Sequence, residues 1–362
     1  MPRQIVLCFD GTNNKYANRD DTNVIKLYQM LDQSSDQCLH YYQPGIGTLA
    51  PTGAWGKTKT WFIEKLDLAI AWLLEEHVCD GYRYLMRYYQ PGDQIFIFGF
   101  SRGAYTARAV AAMIHKVGLL TRGNEELIPF AWDTFKNVRD KSTYEGFKAA
   151  FSRSIDIYMI GVWDTVSSIG WMWNPTHLPY SANNPSVQFV RHAVSIDERR
   201  AYFPQNMWTG TSTVHNAIKQ VWFPGVHCDV GGGYLEPTQA GLSKGALKWM
   251  VQEAEALGLK TDKDKKAHII PEQSNQEYCA PDPSGELHKS LRGWWWIAEI
   301  IPKPFRDPSR GYKLRFRSHL ARPRFIPADP VPLVHISVQE RKDNPHNNYN
   351  PENLPTRITL VK

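Results

Sequence analysis

A serine, an aspartate and a histidine, in that order along the chain, each come at or just after the end of an apolar run: Ser101, Asp164 and His227. A serine hydroxyl becomes a good nucleophile when a histidine takes its proton, and a carboxylate orients that histidine and stabilises its charged form. The three residues therefore predict nucleophilic attack by Ser101, with His227 as the base and Asp164 as the acid.

The pentapeptide at residues 99–103 reads G-x-S-x-G around Ser101. The apolar, β-branched and aromatic residues 93–98 before it indicate a buried strand, and the alanine-rich residues 104–114 after it indicate a helix. A serine at a sharp strand-to-helix turn is held in a strained backbone conformation, and its neighbouring glycines have no room for a Cβ. This context predicts a nucleophile elbow.

An oxyanion hole needs two backbone N–H groups that face the developing negative charge. The residue after the nucleophile supplies one of them, which is Arg102 here. The loop after the first strand offers the second, through Gly11 or Thr12. Asp-Gly is also a common turn, so the same residues fit a purely structural role.

Other residues compete for the roles of base and acid. His335 and His192 also lie in apolar surroundings, and His335 stays a rival to His227 as the base. Asp197 and Asp229 compete with Asp164, although Asp229 is only two residues from His227 and too close in the chain to fold back onto its ring.

Strand-like runs alternate with helical patterns along most of the chain. This alternation predicts an α/β fold with a mostly parallel, doubly wound sheet and helices on both faces. Residues 189–196 fit a strand or a helix equally well. We expect one domain over 1–362, with a core of about 1–258 and an irregular cap or C-terminal extension over 259–362. The expected strands are residues 5–9, 41–42, 93–98, 155–162 and 219–223.

The composition is that of an ordinary globular protein, with 42% hydrophobic and 22% charged residues among 362. The net charge of +6 is spread out and includes no basic block, so we expect no nucleic-acid partner. Five widely spaced cysteines without a C-x-x-C pair argue against a disulfide framework and a zinc site, and we expect no cofactor. No signal peptide or membrane span is recognisable, which favours a cytoplasmic location or export without a cleavable signal.

Three consecutive tryptophans, Trp294, Trp295 and Trp296, precede further apolar residues and lie between basic ones. On a helix this pattern is typical of a segment that rests on a bilayer surface and contacts substrate. The tryptophans could equally close the core.

The chain resembles the uncharacterised α/β-hydrolase-domain family that includes the catalytic domain of type VI secretion lipase effectors. The resemblance spans roughly residues 5–240, with a weaker match in 334–338 and 353–355. It implies a Ser-Asp-His triad at Ser101, Asp164 and His227 and hydrolysis of lipid esters, with phospholipase A activity in the effector members. We expect this chain to lack the large membrane-anchoring region of those effectors. Four stretches carry the resemblance: residues 9–13, 99–108, 161–166 and 222–234.

These observations together predict a serine hydrolase that cleaves carboxylic esters, with a lipid or acyl-ester substrate and peripheral contact with a membrane. One alternative is a binding protein on the same scaffold, because a fold does not determine a function. Another is a metal-dependent phosphoesterase that uses Asp10 and Asp229, which would leave the elbow without a role. The sequence leaves the acyl length, the head group and the oligomeric state open.

Overall fold

A computed structural model gives the fold of this protein. It describes residues 2–11, 20–34, 37–45, 59–166, 178–212, 214, 216–293, 295–300, 303–307 and 313–362.

Within the described residues, an eight-stranded sheet forms the centre of the fold, and all its strand pairs are parallel. Its strand order is β12-β11-β8-β7-β6-β3-β1-β2. Two short antiparallel pairs, β4 with β5 and β9 with β10, lie outside it. The strands are β1 (Gln4–Phe9), β2 (Cys38–Gln43), β3 (Gln94–Phe100), β4 (Leu119–Leu120), β5 (Ser152–Arg153), β6 (Ile157–Trp163), β7 (Val187–Ser195), β8 (Ile218–Phe223), β9 (Lys303–Asp307), β10 (Lys313–Arg317), β11 (Leu333–His335) and β12 (Thr359–Val361).

Helices cover both faces of this sheet. Parallel neighbours need crossover connections, and helices supply most of them. The helices are α1 (Asn23–Met30), α2 (Lys59–Tyr88), α3 (Arg102–Val117), α4 (Ile128–Asn137), α5 (Lys141–Phe151), α6 (His227–Gly231), α7 (Gly241–Ala256), α8 (Lys263–Ile269), α9 (Trp295–Ile300) and α10 (Ile336–Asp343).

The side chains of β1 show why both faces are apolar. Ile5 and Leu7 pack into a core with α2, α3 and α4, whereas Val6 and Cys8 pack into a second core with α1 and α7. Successive residues of a strand point to opposite faces, so a strand between two helical layers is apolar throughout. The predicted α/β class with a parallel, doubly wound sheet is confirmed.

Two regions add detail to these expectations. Residues 189–196, which fitted either a strand or a helix, fall on the central strand β7 (Val187–Ser195) and the residue after it. The C-terminal part is not only an irregular extension, because β11 and β12 continue the central sheet beyond residue 258. None of the helices in the described ranges is long and apolar enough to cross a bilayer.

Candidate active site

Ser101 lies between β3 and α3, which begins at Arg102. Its backbone has φ 59° and ψ −119°, a conformation that costs energy for a residue with a Cβ. The Ser101 N–H donates to the carbonyl of Trp163 at 3.1 Å, which ties the turn to the end of β6. A Cβ on Gly103 would lie 2.1 Å from the carbonyl oxygen of Phe9, so only glycine fits there.

Asp164 follows β6 directly and is fully buried. Its backbone N–H donates to the carbonyl of Ala193 at 2.7 Å. Its Oδ1 accepts the backbone N–H of Ser195 at 2.9 Å, and its Oδ2 lies 2.5 Å from Nδ1 of His227. The structure therefore brings the predicted acid and the predicted base into direct contact.

His227 is the first residue of α6 and is 3% exposed. Its ring lies between two aromatic rings, with centroid distances of 4.6 Å to Phe100 and 4.8 Å to Phe203. Phe100 immediately precedes Ser101, so this ring contact packs the start of α6 against the end of β3, which leads into the turn at Ser101. Nε2 has no hydrogen-bond partner among the described residues. A neutral ring that donates from Nδ1 to Asp164 carries its lone pair on Nε2, where a base needs it.

The electrostatics of this pair suit a base at neutral pH. Burial lowers the pKa of His227 below its usual 6.5, and the hydrogen bond and charge of Asp164 oppose that decrease only in part. Burial would raise the pKa of Asp164, but the charge of Arg324 and the hydrogen bonds from His227 and Arg324 outweigh it and hold the pKa well below its usual range. The aspartate is therefore ionised, and the histidine is neutral at rest.

Two charged residues at this site were not found by sequence reasoning. The Arg324 guanidinium contacts both carboxylate oxygens of Asp164, at 2.5 and 3.0 Å. Glu198 is buried and accepts the backbone N–H of His227 at 3.2 Å and the side chain of Arg200 at 2.9 Å. Arg324 lies 160 residues from Asp164 in sequence, and Glu198 lies in the loop after β7, outside the motifs. No sequence pattern therefore indicated either residue.

Arg102 and Gly11, two of the three residues proposed for the oxyanion hole, lie at or next to the turn that carries Ser101. Arg102 provides the first backbone N–H of α3. A Cβ on Gly11 would lie 2.8 Å from Cβ of Ser101 and 2.9 Å from the Arg102 nitrogen, so the first loop touches the turn. The Gly11 N–H donates to Oδ1 of Asp10 at 2.7 Å. Thr12 lies outside the described residues.

The rival histidines have other partners. Nδ1 of His335 contacts the Ser337 hydroxyl at 2.8 Å, and its ring stacks on Phe223 with centroids 4.5 Å apart. His192 uses both ring nitrogens, since Nε2 accepts the Thr165 N–H and Nδ1 contacts Gln220. Neither ring contacts Asp164 through a hydrogen bond.

The rival aspartates also have partners away from His227. Asp229 lies 2.6 Å from Nδ1 of His288. Asp197 accepts the Tyr349 hydroxyl at 2.8 Å. Asp10, the other half of the phosphoesterase alternative, accepts the hydroxyl of Thr22 at 2.7 Å. In the part of the chain that the structure describes, no three His, Cys, Asp or Glu side chains are grouped to hold a metal ion.

The tryptophan cluster is only partly described. Trp294 lies outside the described residues, and Trp295 begins α9. Trp296 is 52% exposed, and Ile300, the last residue of the same helix, is 65% exposed. Trp296 therefore does not close the core.

The sheet and the site define a protein of the α/β class with an Asp–His pair at the carboxyl ends of its strands. The chain belongs to the family described as T6SS, phospholipase effector Tle1-like, catalytic domain, whose model matches residues 3–253. This confirms the family resemblance.

Three individual proteins are similar to part of this chain, and each of them is longer than the part that matches. An uncharacterised protein of Saccharomyces cerevisiae is 38% identical over 224 residues, which are 57% of this chain and 33% of the yeast protein. The chain thus spans about a third of that relative's length. A crystal structure of an uncharacterised protein from Pseudomonas aeruginosa is 22% identical, covering 74% of this chain and 48% of that one, with a TM-score of 0.44. The Tle1 effector bound to the VgrG spike of the type VI secretion system is 19% identical, covering 66% and 52%, with a TM-score of 0.37.

Proposed function

We propose that this protein is a serine hydrolase that cleaves carboxylic esters, and that its substrates are lipid or phospholipid acyl esters. One observation carries the proposal: the buried 2.5 Å contact between Asp164 and Nδ1 of His227, beside a serine in a strained strand-to-helix turn. This combination gives the imidazole the orientation and the tautomer that a general base needs, and burial keeps its pKa below 6.5, so that the ring is neutral at pH 7.

The reaction proceeds through an acyl-enzyme. Nε2 of His227 takes the proton of Ser101 while Oγ attacks the ester carbonyl, and the N–H of Arg102 and a donor from the first loop hold the oxyanion. The tetrahedral intermediate collapses, and His227 gives its proton to the departing alcohol. Water, activated by the same nitrogen, then releases the carboxylic acid and restores Ser101.

The lipid substrate class rests on the family and on three exposed apolar side chains. Trp296, Ile300 and Phe325 are exposed apolar side chains, with Phe325 77% exposed and next in sequence to Arg324. Aromatic and aliphatic side chains exposed in this way are typical of surfaces that rest on a bilayer. We propose that they provide the peripheral membrane contact.

The nucleophile is tested by covalent labelling. A fluorophosphonate probe should label the wild-type protein at Ser101, and Ser101→Ala should lose both the label and the hydrolysis of a nitrophenyl ester. His227→Asn should also lose activity, whereas the matched His335→Asn should keep it. Equal ester hydrolysis by the wild type and Ser101→Ala would reject the proposal in favour of a binding protein or another chemistry.

The substrate class is tested separately. Release of fatty acid from phosphatidylcholine vesicles should exceed the hydrolysis of a short water-soluble ester in the wild type. Trp296→Ser with Ile300→Ser should slow vesicle hydrolysis and leave the short ester unaffected. A loss on both substrates would argue against a role for these side chains in membrane contact.

A further inference from the structure

Arg324 is a buried arginine in the segment between β10 and β11, with 6% of its surface exposed. Its Nη1 donates to Oδ1 of Asp164 at 2.5 Å, and its Nη2 donates to Oδ2 at 3.0 Å. The guanidinium therefore spans both oxygens of the carboxylate that His227 contacts. Such a paired contact fixes geometry as well as charge, because the two planar groups can align in few ways.

The guanidinium is itself held in place by other groups. Nη1 also donates to the carbonyl and the hydroxyl of Ser195, at 3.1 and 2.8 Å, and Nη2 donates to the carbonyl of Phe203 at 2.7 Å. The Asn353 amide donates to the carbonyls of Arg324 and Ile196, at 3.0 and 3.1 Å. These bonds tie the C-terminal segment to the end of β7, next to Asp164.

The charge of Arg324 is needed where it lies. Asp164 is fully buried, and a buried carboxylate is costly unless a cation and hydrogen bonds compensate for its lost hydration. His227 is neutral at rest and cannot supply that charge. Within the described part of the chain, Arg324 is the one arginine or lysine paired with Asp164.

We propose that Arg324 is a positioning residue of the active site, which holds the Asp164 carboxylate ionised and turned so that Oδ2 receives the Nδ1 proton of His227. Its catalytic consequence rests on the proposed function. Arg324 lies beyond residues 3–253, the part that matches the family. The C-terminal segment is therefore part of the working site.

The other groups around His227 do not duplicate this role. Glu198 meets the backbone N–H of His227 and is itself paired with Arg200. The rings of Phe100 and Phe203 flank the imidazole, and the backbone carbonyl of Phe203 also accepts a hydrogen bond from Arg324. Neither ring bonds to Nδ1 of His227, so Arg324 reaches that nitrogen through the Asp164 carboxylate.

Kinetics of Arg324 variants give the first test. Arg324→Lys keeps a charge but cannot span both oxygens, and Arg324→Gln removes the charge. For a short nitrophenyl ester, we expect kcat to decrease about tenfold in Arg324→Lys and about a hundredfold in Arg324→Gln, with KM within about twofold, because the guanidinium supports the base and does not touch substrate. Guanidinium ion, added below unfolding concentrations, should restore part of the activity of Arg324→Ala.

Arg191→Gln is the matched control. Arg191 is also buried and lies on β7, the strand that ends at Ser195. Its Nε forms an ion pair with Glu253 of α7 at 2.5 Å. We expect its kcat to stay within about twofold of the wild type. An equal decrease in Arg191→Gln and Arg324→Gln would show a general effect of losing a buried arginine and would overturn the proposal.

Proton NMR gives a second test that does not depend on turnover. The Nδ1 proton of His227 should give a downfield resonance in the wild type, absent in His227→Asn. It should move upfield or disappear in Arg324→Gln and remain in Arg191→Gln. A folded Arg324→Gln that keeps this resonance and its kcat would overturn the proposal. If Arg324→Gln does not fold, Arg324→Lys and the rescue of Arg324→Ala carry the same comparison.

The two proposals fail in different ways. A wild-type protein without esterase activity and without labelling of Ser101 would refute the proposed function. The resonance of His227 in the Arg324 variants would still decide whether Arg324 positions the Asp–His pair.

Discussion

Replacing Asp164 with asparagine, alone and together with Arg324→Gln, separates the stabilising role of the ion pair from its catalytic role. Asparagine has nearly the same shape as aspartate but leaves the buried Arg324 guanidinium without its counter-charge. Removing one partner of a buried ion pair costs about 3–5 kcal/mol of unfolding free energy. Arg324 keeps its bonds to Ser195 and Phe203 in the variant. We therefore expect Asp164→Asn to cost about 3 kcal/mol.

The double variant should recover part of that loss. Arg324→Gln removes the uncompensated charge, and replacement of a whole buried ion pair by neutral groups is often nearly neutral. We expect the double variant to be about 1–2 kcal/mol less stable than the wild type, and therefore about 1–2 kcal/mol more stable than Asp164→Asn.

Activity should not recover along with stability. The side-chain amide introduced by Asp164→Asn would present either an N–H or an oxygen to His227, and an N–H there favours the imidazole tautomer with its proton on Nε2. That tautomer cannot accept the proton of Ser101. We expect kcat to decrease about 10³–10⁴-fold in Asp164→Asn and to stay low in the double variant.

The measurements are urea unfolding followed by circular dichroism at about pH 7.5 and initial rates on a nitrophenyl ester. A double variant no more stable than Asp164→Asn would refute the reasoning that the pair compensates for its own burial. Asp164→Asn with kcat within about tenfold of the wild type would refute the role of the carboxylate in orienting the base.

Three further predictions concern the neighbourhood of the site. Burial lowers the pKa of His227, so the neutral base persists below pH 6.5, and the acidic limb of a kcat/KM profile should have its midpoint below 6.5. Gly103→Ala should lose at least about 3 kcal/mol in urea unfolding and most of its activity, because its Cβ would meet the carbonyl of Phe9 at 2.1 Å. Burial raises the pKa of Asp197 from 3.8 to about 6, so the folded protein favours the protonated carboxyl group. The stability that this preference contributes is present below about pH 4 and is lost as the pH rises through about 6. Asp197→Asn can still accept the Tyr349 hydroxyl and should gain about 1–2 kcal/mol relative to the wild type between about pH 5 and pH 8.

The fold was predictable because its main evidence is local. A strand buried on both faces is apolar along its whole length, as in residues 5–9, and the polar residue that ends it falls at the carboxyl edge. Parallel strands share that edge, which is why Asp164 and His227 could be expected to meet from 63 residues apart. The strand-to-helix turn at Ser101 was predictable for a similar reason, since a Cβ on Gly99 would meet the backbone of Gly103 within the same turn. Gly103 is instead required by the carbonyl of Phe9 in β1, a contact that the local sequence does not show.

The charges behind the acid could not be predicted in this way. Arg324 is 160 residues from Asp164 in sequence, and no repeating pattern connects them. The strand β11 that follows has three residues, too few for an alternation to show. The role of Gly11 was also unpredictable, because its N–H could face the oxyanion or the neighbouring Asp10, and only the backbone geometry distinguishes them.

The position of Arg324 follows from the packing of the residues around it. Exposure alternates over 324–326, with Arg324 at 6%, Phe325 at 77% and Ile326 at 4%. Ile326 packs with Trp222 and Val334 in a small core, and the last two residues are paired across β8 and β11. Burial of Ile326 in that core turns Arg324 inward at the end of β7, where Asp164 is the carboxylate within reach. The segment that leads into β11 thus both fills a core, through Ile326, and supplies the positive charge of Arg324 next to Asp164.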